Sequence, residues 1–259
     1  MTGDADPLVV VTGASGVVGR RVVAALEGFA RLRLVDRRAV DEVPPTAEVT
    51  VLDLRDDEAW EIAIRGADVV VHLAGNAAPS QDARTVTHEV AELAAGLADA
   101  LERSDVRHVV MASSIHTLGR HDVAGHRPVR ASDPVWPCCD YGSAKVFAEE
   151  VLTLACIERD AVFTALRLGL VGWMPVDALY QSNWTSDRDF SSAVRASVLQ
   201  RPAGPLLIAS NGARGRWDIE ETEKRLGIEF VDDPPAPDRA AWRDDDVRCL
   251  MLTAGRSRR

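Results

Sequence analysis

The chain has 259 residues, 46% of them hydrophobic and 27% charged, a globular composition that leaves little room for a long disordered segment and suffices for one core with appendages. A formal net charge of −10 argues against nucleic-acid binding, which needs clustered Lys and Arg, and directs attention to small-molecule partners. No apolar run reaches the roughly 18 residues of a membrane span, and the first residues lack the basic-then-apolar pattern of a secretory leader; the expectation is no membrane and a cytoplasmic location.

In chain order, residues 8–12, 32–36, 48–52, 69–73, 109–112 and 163–168 are short, nearly continuous apolar runs, as strands covered on both faces must be. Between them, residues 16–26, 56–65, 84–102 and 140–157 place apolar side chains at three- and four-residue spacing, the helical period. The alternation predicts an α/β fold, a doubly wound parallel Rossmann sheet with right-handed crossovers. Residues 119–139 are polar and contain proline, and are expected to loop over the carboxyl edge of that sheet. Past Gly169 a helix is expected at 187–199, a strand at 205–209 and a helix at 218–226. From Asp232 the chain reads DDPPAPDRAAW and ends in GRSRR, which suggests a surface tail. The resulting division is a dinucleotide-binding core with its catalytic helix at 1–170, a small C-terminal substrate-binding extension at 171–231, and the tail at 232–259. No internal repeat is present.

The segment VVVTGASGVVGRRVVAAL puts Gly13, Gly16 and Gly19, with Val17 and Val18, at the junction of a strand and a helix. There the backbone can approach a pyrophosphate, and the helix N-terminus supplies amides and the positive end of its dipole. About twenty residues on, Asp36 ends the second strand, where a carboxylate accepts the hydrogen bonds of an adenosine ribose and repels a 2′-phosphate. That favours NAD, while Arg37 and Arg38 immediately after it keep NADP as the alternative. The four cysteines, Cys138, Cys139, Cys156 and Cys249, form neither a disulfide framework nor CxxC zinc spacing; reduced thiols and no metal are expected. The Cys138–Cys139 pair close to Tyr141 leaves a redox role open beside the plainer reading as small loop residues.

In DYGSAKVFAEE, Tyr141 and Lys145 stand four apart on one helix face. They follow a strand that ends in MASS, so Ser113 and Ser114 emerge at the carboxyl edge, where α/β sheets bind ligands. A tyrosine is too weak an acid to serve as base near neutrality unless cationic charge stabilises its phenolate, which a nearby lysine does.

The GxxGxxG spacing of TGASGVVG resembles the extended short-chain dehydrogenase/reductase family, the epimerase/dehydratase group. Asp53 and Leu54 in VLDLRD resemble its adenine-contacting position, and Leu73, Ala74 and Gly75 in HLAG its motif beside the central part of the cofactor. That resemblance implies an NAD(P)-dependent oxidoreductase with Ser114 as the substrate-binding hydroxyl, Tyr141 and Lys145 as proton-transfer residues that also touch the cofactor, and a homo-oligomer, dimer or higher. ASSIHTLG, YGSAKVFAE, RLG and SNWTSDRDF further resemble bacterial uronate dehydrogenases, with Trp184 as either packing anchor or substrate contact. The departures fall where specificity resides. Ile115, Ala77, Leu170 and Leu179 stand where those enzymes carry asparagine, serine, serine and arginine. His116 remains as a polar residue beside Ser114, either a substrate contact or a loop cap. The implied reaction is hydride transfer between nicotinamide and a small alcohol or ketone, sugar-like or a natural-product intermediate, in an altered pocket. The alternatives are a nucleotide-sugar epimerase or dehydratase, disfavoured by the short C-terminal part, and a non-catalytic cofactor-binding protein, disfavoured by the retained tyrosine and lysine.

Overall fold

The all-apolar run Leu8–Thr12 forms the wholly buried strand β1, and alternation along it decides the layering: Val9 and Val11 face one hydrophobic cluster and Val10 the other. The computed structural model describes residues 6–75, 82–238 and 249. After β1 come α1 (Val17–Leu26), β2 (Arg31–Asp36), β3 (Glu48–Val51), α2 (Ala59–Ile64), β4 (Val69–His72), α3 (Ala83–Leu101) and β5 (His108–Ser114). The chain continues through α4 (Gly119–Val123), α5 (Asp140–Ile157), β6 (Val162–Leu168), β7 (Leu170–Val171), α6 (Ala178–Gln181), β8 (Trp184–Thr185), α7 (Asp187–Gln200), β9 (Gly204–Ile208) and α8 (Ile219–Leu226).

Seven strands form one parallel sheet in the order β3-β2-β1-β4-β5-β6-β9. The order reverses between β1 and β4, the switch point where such sheets open a crevice at their carboxyl ends. Helices α1, α7 and α8 cover one face through Val22, Leu26, Phe190, Val194 and Leu226. The other face is covered by α2, α3 and α5, through Trp60, Val90, Leu97, Ala148 and Leu152. This is the doubly wound fold expected from the alternating pattern.

Some boundaries differ from expectation. β5 runs on to Ser114, because Ser113 and Ser114 pair with Arg167 and Leu168 of β6. α2 begins only at Ala59, after Glu58 turns left-handed at φ 60°. The expected loop at 119–139 contains α4, anchored by the buried Asp122, which Arg216 grips through both carboxylate oxygens at 2.8 and 2.5 Å. β9 adds a seventh parallel strand beside β6, and β7 pairs with β8 in a small second sheet, Leu170 opposite Trp184, where two-residue strands give no periodic signal.

In the expected surface tail, residues 232–238 are exposed or half-buried and are tied to the extension by hydrogen bonds. Asp238 N donates to Pro175 O at 2.8 Å, and Gln181 Nε2 to Pro235 O at 2.9 Å, so the segment after Asp232 packs along the extension. Cys249 is fully buried. No helix among the described residues is long and apolar enough to cross a membrane.

Candidate active site

At the switch point an open cleft of ≈ 360 Å³ lies over the carboxyl ends of β1, β2 and β4. Gly13, Gly16, Asp36, Arg37, Asp53, Leu54, Leu73, Ala74 and Gly75, all expected at the cofactor, line it. A Cβ at Gly13 would stand 2.8 Å from Ala74 N, and one at Gly19 2.1 Å from Gly13 O, so these two glycines let strand, helix and the end of β4 come together. Gly16 meets little, Gly13 O at 3.1 Å, and it begins α1 without a side-chain cap. Its bare backbone leaves the mouth of the cleft open above the first-turn amides. Val17 and Val18 turn their side chains away, Val17 toward Gly172 and Val18 into the core, which leaves their backbone as what faces the turn.

Asp36 is positioned at the cleft by two backbone amides: Ser15 N donates to Oδ2 and Arg38 N to Oδ1, both at 3.0 Å. Each oxygen keeps a lone pair for a further donor. Arg38, whose Nη2 donates to Ser15 Oγ at 3.1 Å, lines the cleft together with Arg37. Asp53 is clasped by Arg55, Nε to Oδ1 at 2.9 Å and Nη2 to Oδ2 at 2.5 Å; that guanidinium holds its carboxyl at about 2. Arg38, weighed with Arg37 as a contact for a 2′-phosphate, is a cleft wall, and so are Arg55, Leu52, Glu89 and Leu93, which were not among the expected cofactor residues. Glu89 and Leu93 come from α3, beyond any local motif.

Tyr141 and Lys145 are no part of that cleft's lining. They lie one strand over, in the first turns of α5 against β5, where α5 also packs closely on α3. Both are buried, as is Ser114. Lys145 Nζ donates to Ala112 O at 2.9 Å and stands 5.7 Å from the centre of the Tyr141 ring. Burial lowers Lys145 to about 8, against the pull of Glu149 one turn on. The same burial, aided by Cys139, pushes the Tyr141 phenol above its ordinary value, and a hydrogen bond with Ser114 pulls it back. Beneath them is a buried network absent from the sequence reading: Arg167 clasps Glu149, Nη2 to Oε2 at 2.7 Å and Nε to Oε1 at 3.1 Å, and the Ser113 hydroxyl donates to Glu149 Oε1. The second serine is thus left for the site while the first is bound to Glu149.

On the expected substrate side the picture is mixed. Ile115 is 3% exposed and joins the core cluster directly after Ser114. Leu170, Leu179 and Trp184 are half-buried around the β7–β8 pair, and Arg216 Nη1 reaches Leu179 O at 3.3 Å while its guanidinium is held by Asp122. Ala77 lies outside the described residues. The His116 ring stands edge-on to Tyr141, centroids 5.8 Å apart, but its Nδ1 is turned to sulfur: Cys138, Cys139 and Cys249 lie at 3.3, 3.5 and 3.2 Å. That gathering brings together three of the four cysteines, which share no spacing signature in the sequence.

Residues 9–172 match the NAD dependent epimerase/dehydratase family. An L-arabinose 1-dehydrogenase (NAD(P)(+)) of Haloferax volcanii is 29% identical over 254 residues, covering 85% of this chain and 94% of its own. A uronate dehydrogenase of Pseudomonas putida is 25% identical, covering 80% of this chain and 78% of its own. Among solved structures, the uronate dehydrogenase of Agrobacterium tumefaciens superposes with a TM-score of 0.76 at 25% identity, over 90% of this chain and 91% of that one.

Proposed function

The chain belongs to the NAD dependent epimerase/dehydratase family, and from that premise we propose that it is an NAD(P)-dependent oxidoreductase acting on a small, neutral alcohol or ketone of sugar-like or natural-product character. The observation that carries this reading is the joining of two features at one sheet edge: a glycine-walled cleft ending in Asp36, and a buried Ser114–Tyr141–Lys145 group one strand away. The dinucleotide fits the residues present. Gly16 to Gly19 would receive its pyrophosphate, Asp36 and Arg38 the adenosine ribose, Asp53 and Leu54 the adenine, and Leu73 to Gly75 its central part. When bound, nicotinamide supplies hydride transfer at carbon.

The chain's own residues manage the proton. Ser114 Oγ orients the substrate oxygen by a hydrogen bond, and Tyr141 Oη takes the hydroxyl proton during oxidation or returns it during reduction. Lys145 stabilises the phenolate by charge from a buried position, where Coulomb attraction is weakly screened. Its anchor at Ala112 O and the Glu149–Arg167 pair below fix the ammonium relative to the ring. We assign residues 1–170 to cofactor and catalysis and residues 171–231 to substrate, and we place the enzyme in the cytoplasm as a homo-oligomer.

The neutral substrate follows from the departures noted above together with Arg216. With Leu179 in place of arginine and the neighbouring guanidinium spent on Asp122, a sugar carboxylate would lose its water without gaining a paired cation, at several kcal/mol. A steady-state screen of neutral aldoses, uronates and apolar ketones with both cofactors, followed by the absorbance of the reduced nicotinamide, tests the proposal. Turnover of neutral alcohols well above that of uronates is expected. Uronate turnover that matches or exceeds it would refute the neutral pocket, and no turnover of any alcohol or ketone would refute the oxidoreductase.

A further inference from the structure

Four side chains that no local motif relates meet behind Tyr141. His116 lies on the turn after β5, Cys138 and Cys139 directly precede α5, and Cys249 comes from near the end of the chain, 133 residues after His116. Their ligand atoms all lie within 4.8 Å of one another; His116, Cys138 and Cys249 are buried and Cys139 is half-buried. From this geometry we infer that His116 Nδ1 and the thiolates of Cys138, Cys139 and Cys249 form a closed, four-coordinate site for zinc.

Hydrogen bonding among thiols accounts poorly for the arrangement. A neutral imidazole presents one lone pair in the ring plane and accepts one S–H donor, yet three sulfurs surround Nδ1 at 3.2, 3.3 and 3.5 Å. A tetrahedral ion accounts for it directly. With metal–sulfur bonds of about 2.3 Å and metal–nitrogen bonds of about 2.0–2.1 Å, the nitrogen-to-sulfur edges of the tetrahedron are about 3.5 Å and the sulfur-to-sulfur edges about 3.8 Å. The Cys138–Cys249 separation is 3.4 Å, so this edge and the three nitrogen-to-sulfur edges lie within about 0.4 Å of those of such a polyhedron, and the whole set falls within 4.8 Å. Three thiolates and an imidazole select zinc over the hard cations that prefer oxygen. Binding displaces the thiol protons to solvent and involves no redox change.

The site would tie three separate segments together. His116 is two residues past Ser114, Cys139 two before Tyr141, and Cys138 N already donates to His116 O at 3.1 Å. An ion there clamps the turn bearing the substrate hydroxyl to the N-terminus of the catalytic helix and fastens Cys249 to both. Its role is structural, because all four positions are filled by protein.

The test is metal content, which does not depend on any activity. Protein purified under reducing conditions is analysed by elemental mass spectrometry, and the apoprotein is titrated with cobalt(II) as a spectroscopic probe. Zinc at a single ion per chain is expected, with the cobalt form showing sulfur-to-metal charge transfer and the intense visible bands of a tetrahedral ion. Cys249→Ser should lose stoichiometric zinc and those bands, whereas Cys156→Ser, a buried cysteine outside the cluster, should keep both. The cobalt spectrum of the unmodified chain keeps the test decisive if the Cys249 variant fails to fold. Absence of zinc together with no tetrahedral cobalt spectrum would overturn the inference, as would peptide mapping that finds Cys138 and Cys249 joined in a disulfide.

Discussion

Tyr141 and Asp36 each answer to a single atom-level requirement. Tyr141→Phe keeps the ring that stands edge-on to His116 while removing the one oxygen able to carry the proton. The expected outcome is a loss of about two to four orders of magnitude in kcat with dinucleotide affinity little changed, measured by steady-state kinetics beside a fluorescence titration of the cofactor. A variant retaining most of its turnover would remove Tyr141 from the proposed mechanism. At Asp36 the carboxylate accepts from two backbone amides, and Arg37 and Arg38 are already at the cleft wall. Asp36→Ala should therefore weaken NAD and strengthen NADP, since the repelling charge goes and the guanidinium groups stay. Comparison of kcat/KM for the two cofactors checks the sign, and a wild-type protein that already prefers NADP would reverse the reading.

The helices show how an element's two faces are divided between the fold and its partners. Sequence spacing alone suggests a small-residue face of Ala91, Ala94, Ala95 and Ala98 for assembly through α3 and α5. In the folded chain Ala94 is fully buried, so it serves the core, and Ala95 is exposed with Ala91 and Ala98 half-buried. The apolar surface lies instead on α5, where Phe147, Leu154 and Ile157 are 48%, 58% and 69% exposed at helical spacing. Such a stripe, on a helix that packs against α3, suits self-association through a pair of helices from each copy. Leu154→Arg, which touches neither cleft nor catalytic group, is expected to shift the protein toward monomer in light scattering. A wild-type chain that is monomeric at micromolar concentration would contradict the assembly.

At the scale of the molecule, two histidines on the sheet couple folding to pH. His72, the last residue of β4, accepts or donates to Thr12 Oγ1 at 3.0 Å; burial, reinforced by the charge of Lys145, lowers it from 6.5 to about 3. His108, at the start of β5 beside Thr164, is lowered by burial and then by Arg201 to about 4. Both are neutral when folded at pH values where the unfolded chain protonates them. Their contribution is complete above pH 6.5 and is lost as pH falls toward those lowered values, because the unfolded state binds more protons in that window. Each proton difference is worth about 1.4 kcal/mol per pH unit. Urea unfolding between pH 7 and 4.5 should show stability falling with a slope that approaches about 2.7 kcal/mol per pH unit. His72→Gln, which keeps a hydrogen-bonding group for Thr12, should halve that slope, and an unchanged slope would clear His72 of the effect.

Local residue pattern determined much of this protein. Continuous apolar strands alternating with amphipathic helices specify a doubly wound parallel sheet, since only helices on both faces can cover strands that are apolar on both. Gly13, Gly16, Gly19 and Asp36 were legible because a dinucleotide-type turn is built within one strand-turn-helix unit, and Tyr141 with Lys145 because four residues make one helical turn. Tertiary structure decided what depends on elements distant in the chain. Arg167 reaches Glu149 and Arg216 reaches Asp122 only when strands and loops far apart are brought together. Ile115 departs from the expected pattern at the substrate, yet the fold uses it for packing. Cys249 reads as part of a charged, proline-containing tail, yet it is buried against Cys138 and His116. A ligand set spread over 133 residues has no spacing signature, because its geometry is created by the turn after β5 that carries His116, the loop that carries Cys138 and Cys139, and the distant Cys249.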